Sequence, residues 1–322
     1  MAQMDSSLRA RHDRELNEAD PSVIPTASEP EQDVTTISHD RLTLTWLEIP
    51  AWQRDNDYIL TGYRRAQYSW RGCAYSIFGY LHNETVNIQT HLFGAVLFAV
   101  LLSTFQPVYF IHYESTNWLD FTVFTIFLTA AVFCLLSSSF YHTFSVHSKE
   151  VSLRCHAVDY AGIVVLTVGS FFPCIYYEFY CDTALQMLYL SLIVLVGTGA
   201  AYIVLNPEYT KPSHRGARTK VFIALGLSAI FPVGHGFVTH GLQKLWSEMG
   251  FGWLIASGLL YIAGALLYAN RVPERFSPGT FDHFFASHQI FHVCVVLAAL
   301  AHYACVLTAF DHAHSRIGYC SS

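Results

Sequence analysis

The sequence predicts an all-α membrane protein: a seven-transmembrane helix bundle with a short juxtamembrane amphipathic helix before the first span. Three observations predict it. The 322 residues are 52% hydrophobic and 15% aromatic, with a mean hydropathy of +0.32. Only 13% are Asp, Glu, Lys or Arg, against about 25% in a soluble domain. The apolar residues also gather into seven runs, each close to the roughly 20 residues that cross about 30 Å of hydrocarbon. A formal net charge of −6 argues against a nucleic-acid partner, which would need a basic face. The eight cysteines contain no C-x-x-C pair, so no zinc ribbon or thioredoxin-type motif is present. Most of them lie in apolar runs and read as small buried hydrophobes. A disulfide between Cys174 and Cys181 at one membrane face is sterically open but not favoured.

Along the chain, residues 1–40 scatter Asp5, Asp13, Glu15, Glu18, Asp20, Glu29, Glu31 and Asp33 among Ser, Thr and Pro. Such a stretch buries too little apolar surface to offset its ordering entropy. It reads as a disordered cytosolic tail, carried on to residue 60 where the next patterned segment begins. It has no basic n-region leading into an apolar core, so no cleaved signal peptide is expected. The juxtamembrane region, 61–90, holds Trp70, Ala74, Ile77, Phe78 and Leu81 at helical spacing, flanked by Arg64, Arg65 and Arg71. That pattern suits a helix lying at the interface with its arginines toward anionic headgroups, or a soluble helix packed beneath the membrane domain.

The transmembrane domain, 91–310, divides into spans near 91–112, 118–141, 157–178, 184–205, 219–240, 251–270 and 284–310. Loops 2–3, 4–5 and 6–7 carry Lys149, Arg154, Lys211, Arg215, Arg218, Lys220, Arg271 and Arg275, whereas the alternate loops carry only Lys244. By the positive-inside rule the N-terminus is cytosolic and the tail 311–322 lies outside.

Ionisable groups within spans mark function by default. His288 and His292 stand at i and i+4 in the seventh span and stack on one helix face, the spacing of two imidazoles on one metal. Gln289 occupies the place of the glutamate in an H-E-x-x-H motif and cannot act as a base. Alone, the pair reads almost as well as two satisfied core histidines. Topology adds to it: His142 ends the second span and Asp159 opens the third, both at the depth of the first turns of span seven. Three histidines and a water form a common catalytic Zn²⁺ shell, though imidazole also suits copper, iron or nickel. His142, His288 and His292 would then be the ligands, with a water of lowered pKa in the fourth position. Asp159 would serve as general base or as a partner to a ligating histidine. Ser138, one turn before His142, would donate to a developing oxyanion or simply pack between helices. Glu84, Asn87 and His91 form one polar stripe that would line the mouth of a cavity or brace the bundle, and bracing is the reading preferred. His302 lies roughly 21 Å along the helix from His288, too far for the same ion. His235 is assigned to a kinked region after Pro232 and Gly234, His147 and His156 to a solvated loop, and His312 and His314 to a tail.

At these residues the chain resembles the adiponectin receptor family, which includes progestin receptors and haemolysin-III-type proteins. The runs Asn83–Leu92 and Ser137–Thr143 match its motifs. Val158-Asp159-Tyr160-Ala161-Gly162 is similar to its third-span Leu-Asp-Tyr-Ser-Gly, and His288–Val293 matches its seventh-span signature. The resemblance covers about residues 58–310 and leans toward fungal zinc-homeostasis and osmotin-receptor-like members. It implies a seven-helix barrel of inverted topology with intramembrane zinc on His142, His288 and His292, and with Asp159 and Ser138 beside the metal. It further implies amide hydrolysis of ceramides, as in the similarly built alkaline ceramidases, and a receptor role that an extracellular protein ligand would serve. The expectation is a zinc-dependent lipid amidase in the plasma membrane, binding ceramide and fatty acid. The alternatives are a receptor with purely structural zinc and, less favoured, an ion transporter.

Overall fold

The structure, a computed structural model, describes residues 41–206 and 214–315. Among them, seven helical segments are long and apolar enough to cross a membrane. The helices are α1 (Trp70–Gly79), α2 (Thr85–Tyr109), α3 (Trp118–Phe144), α4 (Lys149–Glu178), α5 (Thr183–Leu205), α6 (Arg215–Leu227), α7 (Ile230–Glu248), α8 (Phe251–Asn270) and α9 (Ser287–Ser315). A two-residue antiparallel ribbon pairs β1 (Thr43–Leu44) with β2 (Tyr63–Arg64) in the register Thr43↔Arg64 and Leu44↔Tyr63.

Polar caps place the helix starts. Ser69 accepts from Gly72 N–H ahead of α1, and Ser148 accepts from Val151 N–H ahead of α4. Asn117 and Asp120 form a capping box on α3. The helices then pack as a closed circuit, α2 against α3, α3 against α4, α4 against α5, α5 against α6, α6 against α8, and α8 against α9, which returns to α2. Close approach needs small residues at two crossings near the site. A Cβ on Gly162 would lie 2.5 Å from Ser137 Oγ and 3.0 Å from Cys134 Cα, and one on Gly264 would lie 2.8 Å from Cys294 Cβ. The aromatic core between α2, α3 and α9 includes Phe105 stacked on Phe124 at 3.9 Å and Phe310 against both. At that end of the bundle, buried Asp120 accepts from Tyr177 Oη (2.8 Å) and His314 Nε2 (3.0 Å).

Several expectations change. The tail expected over 1–60 lies outside the described residues only as far as 40. Residues 41–60 instead fold onto the bundle, burying Leu44, Ile49 and Ile59. Their polar composition masks this because the hydrogen bonds that hold them are to residues over two hundred positions away. Helix α1 does present Trp70, Tyr75 and Phe78 outward. Arg64, expected at headgroups, is instead 1% exposed. It donates to Ser76 Oγ (2.8 Å), Thr143 O (3.0 Å) and His142 O, tying α1 to the end of α3. The first span starts at Thr85, where the polar Thr85 and Asn87 are buried against protein, and the third at Lys149, where Lys149, Glu150 and Arg154 are exposed. The fifth span, Gly216–Glu248, passes from α6 to α7 through a turn at Ser228–Ala229 whose backbone stays helical, and its kink lies at Gly241 (φ 79°, ψ 161°), after the Pro232 and Gly234 where one is expected. His312 and His314, assigned to a tail, belong to the last turn of α9. Cys174 is a free thiol while Cys181 is disulfide-bonded, so these two do not pair.

Candidate metal centre

His142 sits in the last turn of α3, and His288 and His292 in the first two turns of α9. Each offers a ring nitrogen within 4.8 Å of the others. The three rings are nearly perpendicular to one another, with centroids 4.7–4.9 Å apart and interplanar angles of 73–76°. Imidazoles packed for apolar contact do not need to converge their nitrogens, whereas a shared ion does.

Hydrogen bonds fix the tautomers. A carboxylate and a carbonyl only accept, so His142 Nδ1–H donates to Glu84 Oε2 (2.7 Å) and His292 Nδ1–H donates to Asn87 O (3.1 Å). That leaves each Nε2 as a lone-pair donor, the state a metal requires. His142 Nε2 is buried without a hydrogen-bond partner, an orphan that a coordinated ion would satisfy. The residues fit a metal, and this group could hold one.

The surround is built from α2. Glu84 also accepts from Asn87 Nδ2 (2.6 Å). Burial raises the Glu84 carboxyl, and its hydrogen bond and charge interaction with His142 act in the opposite direction. His91 stacks on His292 at 3.7 Å and 15°, and donates from Nε2 to His292 O (3.3 Å). The polar stripe of α2 thus braces the histidines themselves, a role hidden in the sequence because Glu84 and His142 are 58 residues apart. Tyr268 of α8 packs its ring 4.8 Å from His288. Gln289, in the place of a catalytic glutamate, points away and donates to Asn83 O (3.2 Å) and His283 O (3.0 Å).

A cavity of about 650 Å³ opens against the cluster, with His288, His292, Ser138 and Asp159 on its wall. Asp159 and Ser138 are both buried and interact through their side chains. From there the cavity runs past Ile262 and Val295 to His302, Cys174 and Glu178 at the opposite end. His302 donates to Ser170 O (2.9 Å) there, well away from the metal ligands as expected. His156 is a correction: it lies in α4, between the rings of Tyr141 (4.7 Å) and Tyr160 (4.1 Å), and faces the cavity. His147 is likewise not free in a loop but packs on Trp70 at 4.5 Å.

A family model described as Haemolysin-III related matches residues 79–303, which contain every residue of this centre. The chain belongs to the haemolysin-III-related family. This haemolysin-III-related protein is 41% identical over 257 residues to the Drosophila melanogaster protein named adiponectin receptor protein, covering 79% of this chain and 56% of that one. It is 39% identical over 262 residues to progestin and adipoQ receptor-like protein 1 of Caenorhabditis elegans, covering 81% and 59%. With the Saccharomyces cerevisiae ADIPOR-like receptor IZH2 it shares 36% identity over 278 residues, covering 86% and 87%. The chain therefore spans less than two thirds of the fly and worm relatives and most of the yeast one. Together, the seven apolar helices and the family establish a multi-pass membrane protein, receptor-like by its relatives.

Proposed function

We propose that this protein is a zinc-dependent membrane hydrolase that cleaves the amide bond of ceramide-like lipids and is linked to lipid or zinc-homeostasis signalling. One observation carries the reading: three convergent imidazoles lie at the wall of an apolar cavity that also presents Asp159 and Ser138. His142, His288 and His292 would hold the ion, and the all-nitrogen, three-residue set suits zinc with one position open. Zinc bound there supplies an acidified water and a Lewis acid for a carbonyl.

The protein's own groups do the rest. Glu84 and Asn87 hold two ligand rings in their metal-binding tautomers. The apolar walls align an acyl chain and exclude bulk water, which strengthens every charge interaction at the site. Asp159 takes the proton of the attacking water and delivers it to the leaving amine. Ser138, beside Asp159, donates to that carboxyl while it is ionised, and once Asp159 has taken the proton the Ser138 hydroxyl turns to donate toward the oxygen that gains charge. The products are a fatty acid and a sphingoid base. The basic loop residues argue for a cytosolic N-terminus and outside C-terminus, and hence for a cytosol-facing centre. The plasma membrane is the compartment proposed.

The test is amide hydrolysis of ceramide by purified protein in lipid nanodiscs. Turnover is expected in wild type and lost in Asp159→Ala while zinc is retained. The relatives' receptor names favour a second reading, in which zinc is structural and an extracellular ligand acts through the cytosolic side. Wild type that binds zinc but shows no turnover in lipid-replete membranes makes that second reading the better one.

A further inference from the structure

Residues 41–64 are not a passive leader. They run across the end of the bundle that holds the histidines, closing with the β1–β2 ribbon, and Trp52, Arg54 and Asp55 contribute to the cavity wall. Three sets of contacts latch this strap onto the segment between α8 and α9. Asp55 pairs with Arg271. Leu60 N–H and Thr61 Oγ donate to Asp282 at 2.9 and 2.6 Å, and Gly279 N–H donates to Tyr58 O at 3.0 Å. Asn56 Nδ2 donates to Glu274 Oε1 at 3.1 Å.

Glu274 is the pivotal contact. Its carboxylate is 0% exposed. It accepts the Ser287 backbone N–H at 2.8 Å through Oε2 and the Ser287 hydroxyl through Oε1. Ser287 is the first residue of α9, and His288 and His292 follow in its first two turns. A carboxylate supplied from outside the helix thus satisfies an orphan N–H at the positive end of the helix dipole. In doing so it fixes where the helix starts, and with it the direction of two of the three imidazoles.

We propose that Asn56 and Glu274 are positioning residues for the metal centre: the strap, through Glu274 and Ser287, sets the geometry of His288 and His292. The inference rests on the metal reading above and adds to it a control element outside the spans. Losing the Asn56–Glu274–Ser287 contact loosens two ligands at once.

The test uses the full chain in nanodiscs, with zinc alone as the probe in competition with a chromophoric chelator. Hydrogen exchange is read at the Ser287–His292 amides. Glu274→Gln and Asn56→Ala should weaken zinc binding by roughly 10–100-fold, the usual effect of losing a group that orients a ligand, and should speed exchange in that first turn. Asp282→Asn provides the comparison: it anchors the same strap but does not touch Ser287, so at equal loss of melting temperature it should cost less zinc affinity. If Glu274→Gln and Asn56→Ala bind zinc as wild type does, with unchanged exchange, or if Asp282→Asn matches them in both measurements, the positioning role is wrong. Wild type that binds no zinc overturns this inference together with the reading beneath it. Wild type that binds, with unaffected variants, overturns this inference alone.

Discussion

Replacing Glu84 tests how the protein prepares its histidines. The carboxylate lies 2.7 Å from His142 Nδ1 and holds Nε2 toward the cluster. Glu84→Gln keeps the size and one acceptor oxygen but loses the charge; Glu84→Ala loses the contact altogether. Losing such an orienting partner typically costs 10–100-fold in metal affinity, or about 1.4–2.8 kcal/mol at 1.4 kcal/mol per decade. Gln should fall near the lower figure and Ala near the upper. The assay is zinc competition against a chelator of known affinity, paired with melting curves at fixed free zinc. The metal-dependent part of the stabilisation should shrink by the same free energy as the affinity. Both variants should still fold, since Glu84 lies before the first turn of α2 and outside the aromatic core. If both bind zinc as tightly as wild type while His142→Ala binds none, Glu84 does not orient the ligand.

Three further outcomes are expected. Asp159→Asn should lower ceramide amide turnover by about 10²–10⁴-fold while zinc stoichiometry stays at the wild-type value; an equal loss of zinc would assign Asp159 to metal retention instead. Gly162→Ala should destabilise by about 1–3 kcal/mol through overpacking between α3 and α4, since its Cβ would meet Ser137 Oγ at 2.5 Å, and an unchanged melting temperature would contradict that packing. His82 is buried with Nε2–H on Ser76 O (3.0 Å) and Nδ1 accepting Glu84 N–H (3.2 Å), a neutral tautomer with both nitrogens used. Burial first, and then the charge of Arg64, push its pKa down to about 4. Its contribution is complete above the unfolded value near 6.5 and is lost as pH falls from there through 4, by up to about 3 kcal/mol, so melting should fall over that window and fall less in His82→Gln.

Much of the fold was legible because charge is so scarce. Where only 13% of residues are charged, seven uninterrupted apolar runs stand out, and polar residues inside them are conspicuous. That made His142, His288 and His292 readable: the i, i+4 pair defines a face, and counting helical turns brings His142 and Asp159 to the same depth. The geometry of the site then depends on contacts with no period. Glu84 reads as one member of a stripe, and nothing in its own surroundings says that His142 is its partner. Asn56 and Glu274 are 218 residues apart, so a polar segment before the spans looks like solvated tail when it is a latch. Arg64 misled for the opposite reason. Arginine near a membrane defaults to headgroups, and only the free carbonyls at the end of α3 explain why this one turns inward. His156 reads as a loop residue because the first two turns of α4 carry Lys149, Glu150 and Arg154, although Ser148 caps a helix there.

Metal analysis of the purified protein tests the central claim most directly. Full-length wild type should carry one zinc per chain. His142→Ala, His288→Ala and His292→Ala should each lose it, while His302→Ala, on the same helix but bonded to Ser170, should keep it. Wild type without stoichiometric metal, or a His302→Ala variant that loses zinc as fully as the other three, would contradict the assignment of the three histidines as a metal centre.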